Sequence, residues 1–174
     1  MKLNLISEVN INRAISKISP LFNILPKNKR KHSKRVALQL NKIGIKKEGV
    51  YAGLLHDYLE NGGCILELSD RLEEIGLPES VITIVRYLTH DDIDPLDHIK
   101  SEFDKINNRD LKNLIILIKL SDRLDNLHKR SLNRISDKYK RKSAKLVEYL
   151  VSQYTGNQKL LHKLLKQIGR LIEQ

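Results

Sequence analysis

The sequence holds one cysteine, no tryptophan, two phenylalanines and four prolines in 174 residues. A single thiol, Cys64, excludes an internal disulfide and fits a reducing compartment. No His or basic cluster stands beside it in sequence to activate it, so it is expected to carry no catalysis. The two Phe and six scattered Tyr leave few stacking platforms for single-stranded nucleic acid. No apolar run approaches a membrane span, and the first residues lack a signal-peptide core with a small-residue cleavage site. The expected location is therefore the cytoplasm. Internal repeats, low-complexity tracts and Pro-rich linkers are also missing, so 1–174 reads as a single domain.

Strand signals are poor as well, with no alternating run bracketed by hairpin turns. Helical periodicity fills the space instead. The expected fold class is all-α, a compact bundle of about eight to nine helices. The spacing predicts an opening helix near 6–18 that stops at Ser19-Pro20, then a basic loop from Pro26 into a helix at about 28–42. Further helices are expected at about 47–60, 65–75, 78–89, 95–105, 110–129, 137–154 and 157–172. The last pair, a C-terminal helical extension over 136–174, has a wide apolar stripe in Leu160, Leu161, Leu164, Leu165, Ile168 and Ile172, and is expected to pack within the chain.

Three of these helices carry polar residues on apolar faces. His32 sits one turn before Val36, with Leu40 and Ile43 following at helical spacing. The run Val50 to Leu55 is apolar all round, reads as a buried helix, and delivers the pair His56-Asp57. In the third helix, the stripe of Leu111, Leu114, Ile115 and Ile118 continues into Asp122 and then Asn126. Any one of these residues alone is more often a surface or salt-bridged group than a ligand. Together they make two imidazoles and two carboxylates, and a divalent cation would offset the cost of burying the carboxylates. A set without thiolates suits Mn, Fe, Co, Ni or Zn, with water completing the shell. The remaining histidines, His90, His98, His128 and His162, read as solvated or helix-terminal.

The words around these residues, "KHSKRVA", "AGLLHDYLENGG" and "LIKLSDRLDNL", resemble those of the HD-domain metal-dependent phosphohydrolases. Within that superfamily they look most like the hydrolase domain of the Rel/Spo alarmone enzymes and their small stand-alone relatives. The stretch "IGLPESVITIVRYLTHDDIDPLDHIKSEF" between them is similar too. The resemblance covers 27–130 in three ordered motifs. It implies an HD-type helical fold, with one divalent ion, Mn²⁺ by preference, bound by His32, His56, Asp57 and Asp122. It implies an acidic pair after the HD word that activates or orients the attacking water. Glu60 fills the first place, but Asn61 stands in the second and cannot accept a proton near neutral pH, so a base role falls to Glu60 or to the metal-activated water itself. Asn126 matches a nucleotide-contacting residue, while Arg123 reads equally as a substrate contact or a helix-surface ion pair. The family also has an Arg about nine residues before the first His, in a guanine-contacting "G-x-P-Y-x-x-H" context, and this chain reads "PKNKRKHSKR" there.

The net charge of +11 concentrates in that basic word, in "KYKRKSAK" and in "KLLHKLLKQIGR". Lys27, Lys29, Arg30 and Lys31 would steer a multiply phosphorylated nucleotide and stabilise charge on it. The implied activity is hydrolysis of guanosine tetra- or pentaphosphate, (p)ppGpp, at the 3′ side to release pyrophosphate. A chain of this length has room for a small hydrolase without an attached synthetase domain. Two other readings stand beside it: an HD phosphohydrolase of another nucleotide, and a non-catalytic metal-containing protein that binds nucleotide or RNA. The sequence does not set the oligomeric state.

Overall fold

The computed structural model describes residues 9–89, 94–131 and 135–173, the side chains of 130 and 131 excepted. Among the described residues the chain forms ten α-helices and one 3₁₀ turn, with no strand. The all-α expectation holds. The expected start of the opening helix at Ile6, and His90, lie outside the described residues. The chain divides into two compact units, 1–85 and 86–174, a division that falls inside the 27–130 stretch bearing the motifs.

The first unit contains α1 (Ile11–Lys17), α2 (Ser19–Ile24), α3 (Lys27–Ile43), α4 (Lys47–Leu55), the 3₁₀ turn Leu59–Asn61 and α5 (Ile65–Glu74). Its centre is the seam between α3 and α4, on which α1 and α2 also pack. From α3 the buried face comprises His32, Ser33, Val36, Ala37, Leu40 and Ile43, while every residue of α4 from Gly49 to Leu55 is buried. The α3 helix ends in a Schellman turn: Gly44 N–H donates to Asn41 O, and Ile45 N–H to Leu40 O. That turn sends α4 straight back along α3.

The opening helix stops before Ser19-Pro20 as expected, but the pair also starts the short α2, which the periodicity did not predict, because Pro lacks only an N–H that a first turn leaves unbonded anyway. The helix that carries the basic word begins at Lys27, one residue ahead of the expected start. Lys27, Lys29, Arg30 and Lys31 form the first turns of α3, which has no acidic residue there to suit the helix dipole. Burial of His32, Val36 and Leu40 outweighs that mismatch, since a full side-chain burial is worth about 1.5–3 kcal/mol and a dipole term about 0.3–1 kcal/mol.

In the second unit α8 (Arg109–Ser131) is the hub, with α9 (Asp137–Gln153) and α10 (Gln158–Ile172) packed on it and α7 (Pro95–Phe103) against α9. The helix α6 (Ser80–Leu88) runs across the division between units. Its last carbonyl, that of Leu88, accepts a hydrogen bond from Lys119 Nζ at 3.1 Å, so a buried lysine of α8 closes a helix end. Asn113 of α8 holds the 154–157 connection through its amide oxygen, which accepts from Thr155 N–H at 3.0 Å. The C-terminal extension thus packs on α8 as expected. On α10 the buried residues are Leu161, Leu164, Ile168 and Leu171, a narrower stripe centred slightly differently from the one read in sequence.

At the start of α7, Asp94 caps Leu96 N–H and pairs with Lys142 Nζ at 2.7 Å. The Lys142 hydrogen bond, then the Leu96 N–H, holds its carboxyl below the usual carboxylate value despite some opposing desolvation. A depressed carboxyl stabilises the fold above the unfolded value near 3.9, and that contribution disappears as pH falls through the folded value. Lys142→Ala should therefore destabilise the protein by less than about 1 kcal/mol at neutral pH, with no difference from wild type once the carboxyl is protonated; urea melts across pH 2–7 check it.

Gly53 sits where α4 touches α3, and a Cβ there would meet Leu40 Cδ1 at 2.6 Å and Ala37 Cα at 3.6 Å. Leu40 is fully buried, so its Cδ1 would have to shift within the packed seam. Gly53→Ala should cost about 1–3 kcal/mol in chemical denaturation, as overpacking does; a loss under about 0.5 kcal/mol would show the seam yields freely.

Candidate metal centre

The seam sets two imidazoles facing each other. His32 projects from the buried face of α3, and His56 caps the C-terminus of α4, with the two Nε2 atoms 3.2 Å apart. Asp57 follows at once: Oδ1 lies 3.5 Å from His56 Nε2 and Oδ2 3.9 Å from His32 Nε2. All three residues are buried, and one ligand atom from each lies within 4.8 Å of the others.

The α4 helix does not continue to Glu60 as the sequence predicts. His56 Nδ1 lies 2.9 Å from Gly53 O, the carbonyl that an uninterrupted helix would offer to the Asp57 N–H. The chain then tightens, with Tyr58 N–H donating to Leu55 O, and winds into the 3₁₀ turn. Tyr58 is wholly buried; its hydroxyl accepts from Cys64 N–H at 3.2 Å and reaches Glu67 Oε2 at 3.3 Å. Burial, above all, pushes that hydroxyl's pKa up. The ring is thus an anchor for the turn rather than an acid near neutral pH.

A carbonyl only accepts, so Nδ1 is the His56 nitrogen that carries the hydrogen, which leaves Nε2, on the side of His32, as the nitrogen that can ligate. Two nitrogens each about 2.0–2.1 Å from one ion at a tetrahedral angle would lie roughly 3.3 Å apart, close to the separation found. Asp57 Oδ2 is a buried oxygen with no hydrogen bond among the described residues. Lys29 Nζ stands 3.1 Å from it as a charge partner, but not in line for a hydrogen bond. Two imidazoles and a carboxylate whose Oδ2 accepts no hydrogen bond among the described residues fit a divalent cation, with three protein ligands leaving room for water.

Asp122 lies on α8 in the second unit, half-buried, its Oδ1 accepting from Asn126 Nδ2 at 2.6 Å. Asn126 therefore orients that carboxylate. Arg123 is not a helix-surface ion pair. It is buried, donating from Nη1 to the Tyr139 hydroxyl at 2.8 Å with its guanidinium 5.4 Å from the Tyr139 ring centre. The side chain leaves α8 toward the polar groups of α9, as Ser143 Oγ at 3.5 Å also shows.

Glu60 is exposed on the 3₁₀ turn. Asn61 folds back so that its Nδ2 donates to Asp57 O at 2.7 Å. An aspartate there would face that carbonyl with no proton to donate near neutral pH, so the departure at Asn61 matches a local structural need. Of the basic group, Lys29 meets Asp57, Arg30 donates to Asn23 Oδ1 at 3.1 Å, and Lys27 and Lys31 are exposed. His98 lies near Tyr87 O, while His128 and His162 are exposed. Sequence reasoning missed the Lys29–Asp57 pair, although the three-residue spacing of Lys29 and His32 on one helix face was a signal for it.

No family model, curated protein or solved structure matches this chain.

Lys29 would compete with a cation for Asp57. Lys29→Gln should tighten Mn²⁺ binding about fivefold by calorimetry, because removing a half-exposed charge beside the carboxylate is worth about 1 kcal/mol. His56→Ala should abolish the binding. Unchanged affinity in both variants would mean that these residues hold no metal.

Proposed function

We propose that the protein is a divalent-metal-dependent phosphohydrolase of phosphorylated nucleotides. The observation that carries this reading is the buried convergence of His32, His56 and Asp57, on the elements where the HD words stand. The proposed substrate is guanosine 3′,5′-bis(diphosphate), cleaved to GDP and pyrophosphate, and the proposed compartment is the cytoplasm. The substrate rests on the resemblance to HD-domain alarmone hydrolases, and the compartment on the single thiol and the lack of an apolar run of membrane-spanning length.

A bound Mn²⁺, or Fe, Co, Ni or Zn in its place, supplies Lewis acidity that polarises a phosphoryl oxygen and lowers the pKa of a coordinated water. The chain's own residues do the rest. Gly53 O holds the His56 ring so that Nε2 presents its lone pair, and Asp57 supplies the negative charge. Asp122 is proposed as a fourth ligand on the resemblance alone. Glu60 is the remaining carboxylate of the family's acidic pair, and it orients or deprotonates the water, since Asn61 cannot. Lys27, Lys29, Arg30 and Lys31, now on the first turns of α3, form a positive rim that draws in a polyphosphate. Asn126 and Arg123 are proposed nucleotide contacts on the resemblance alone.

The test is purified protein with Mn²⁺ and a nucleotide panel, the phosphate species being identified after incubation. Pyrophosphate from guanosine tetraphosphate is expected, with a loss of at least about 100-fold in Asp57→Asn. Asp122→Ala should lower metal content and turnover together. Orthophosphate from another nucleotide would move the reading to a different substrate, and no release from any nucleotide would overturn catalysis.

A further inference from the structure

The positive charge of the chain is unevenly placed. Helices α9 and α10 carry nine Lys and Arg against only Asp137 and Glu148, a net +7 of the chain's +11. On α10, Lys159, Lys163, Lys166 and Arg170 follow one another at spacings of four, three and four, and all are exposed. On α9, Lys138, Arg141, Lys142 and Lys145 form a second exposed set. Only Lys142 of these eight has an acidic partner among the described residues, namely Asp94.

Such a stripe works against the helix that bears it, because like charges three and four residues apart repel. Among the described residues no acidic side chain pairs with the stripe on α10, and on α9 only Lys142 is so relieved. The apolar side of α10, with Leu161, Leu164, Ile168 and Leu171, is buried, and so is Leu146 with Leu150 on α9. Neither helix therefore has an apolar face left to insert into a lipid surface. Neighbouring cations on a helix stand about 5–6 Å apart, and the stripe from Lys159 to Arg170 runs about 16 Å. Along that distance one strand of a duplex places about five phosphates.

We propose that the exposed basic faces of α9 and α10 bind the phosphodiester backbone of double-stranded nucleic acid without reading its sequence. The scarcity of exposed aromatic rings excludes base stacking as the means, so the contacts are electrostatic and a duplex serves better than a single strand. This surface is independent of the metal centre.

The test titrates the full chain into labelled 20-base-pair duplexes of random sequence, one of DNA and one of RNA, at several salt concentrations. Log affinity should fall linearly with log salt, by about 0.9 for each phosphate neutralised on DNA. Lys163→Gln with Lys166→Gln should reduce the slope by about two, and so should Arg141→Gln with Lys145→Gln. Neutralising exposed Lys42 and Lys46 of the first unit should leave it unchanged. Duplex should also raise the melting temperature of the wild-type chain, a readout that needs no variant to fold. Comparing the two duplexes shows whether DNA or RNA is preferred. Absence of binding at low salt overturns the proposal, as does equal weakening by the Lys42 and Lys46 control. Binding to phosphatidylserine vesicles with duplex ignored would overturn it in favour of a membrane surface.

Discussion

The rest of the first unit depends on keeping one carboxylate, Asp57, buried beside two imidazoles. Buried charge is costly unless something of opposite sign is near, and the chain answers with Lys29 at 3.1 Å. One carboxylate oxygen still lacks a hydrogen bond. The α3–α4 seam makes the arrangement rigid: its helices meet over Gly53, and the same residue's carbonyl fixes the His56 ring. Packing and ligand orientation are thus two uses of one point on the backbone.

The second unit solves a different problem, the closing of helix ends inside a packed set. Lys119 and Asn113, both on α8 and both buried, reach the end of α6 and the 154–157 connection. Arg123 reaches across to Tyr139 and Ser143. These polar groups inside an apolar hub give each neighbouring helix one register on α8. The exposed charge of α9 and α10 is mostly positive, which is why the outer faces of those helices invite an anionic partner.

Much of this was legible in the chain itself. The apolar stripe on α3 that begins at His32 and the all-apolar run before His56-Asp57 both predicted burial, and both residues are buried. Helix positions followed from periodicity, with boundaries within a few residues for the later helices. The failures sit where a side chain competes with the backbone. Helix α4 stops at Leu55 because the His56 ring takes a carbonyl the helix would use, and no pattern of apolar residues reports that. Neither sequence reading of Arg123, substrate contact or helix-surface ion pair, placed it against α9, since an arginine beside a buried position looks the same in sequence whether it faces water or a neighbouring helix.

By itself the sequence determined the all-α class, the burial of the histidines on α3 and α4, and the uneven distribution of charge. These are properties of composition and of a 3.6-residue repeat, which act locally along the chain. Only the tertiary structure decided that His32 meets His56 at 3.2 Å, that Lys29 lies against Asp57, and that Asn61 serves the Asp57 carbonyl. The physical reason is one of range. Periodicity fixes which face of a helix is apolar, whereas the side-chain partner across the seam depends on how closely two backbones approach.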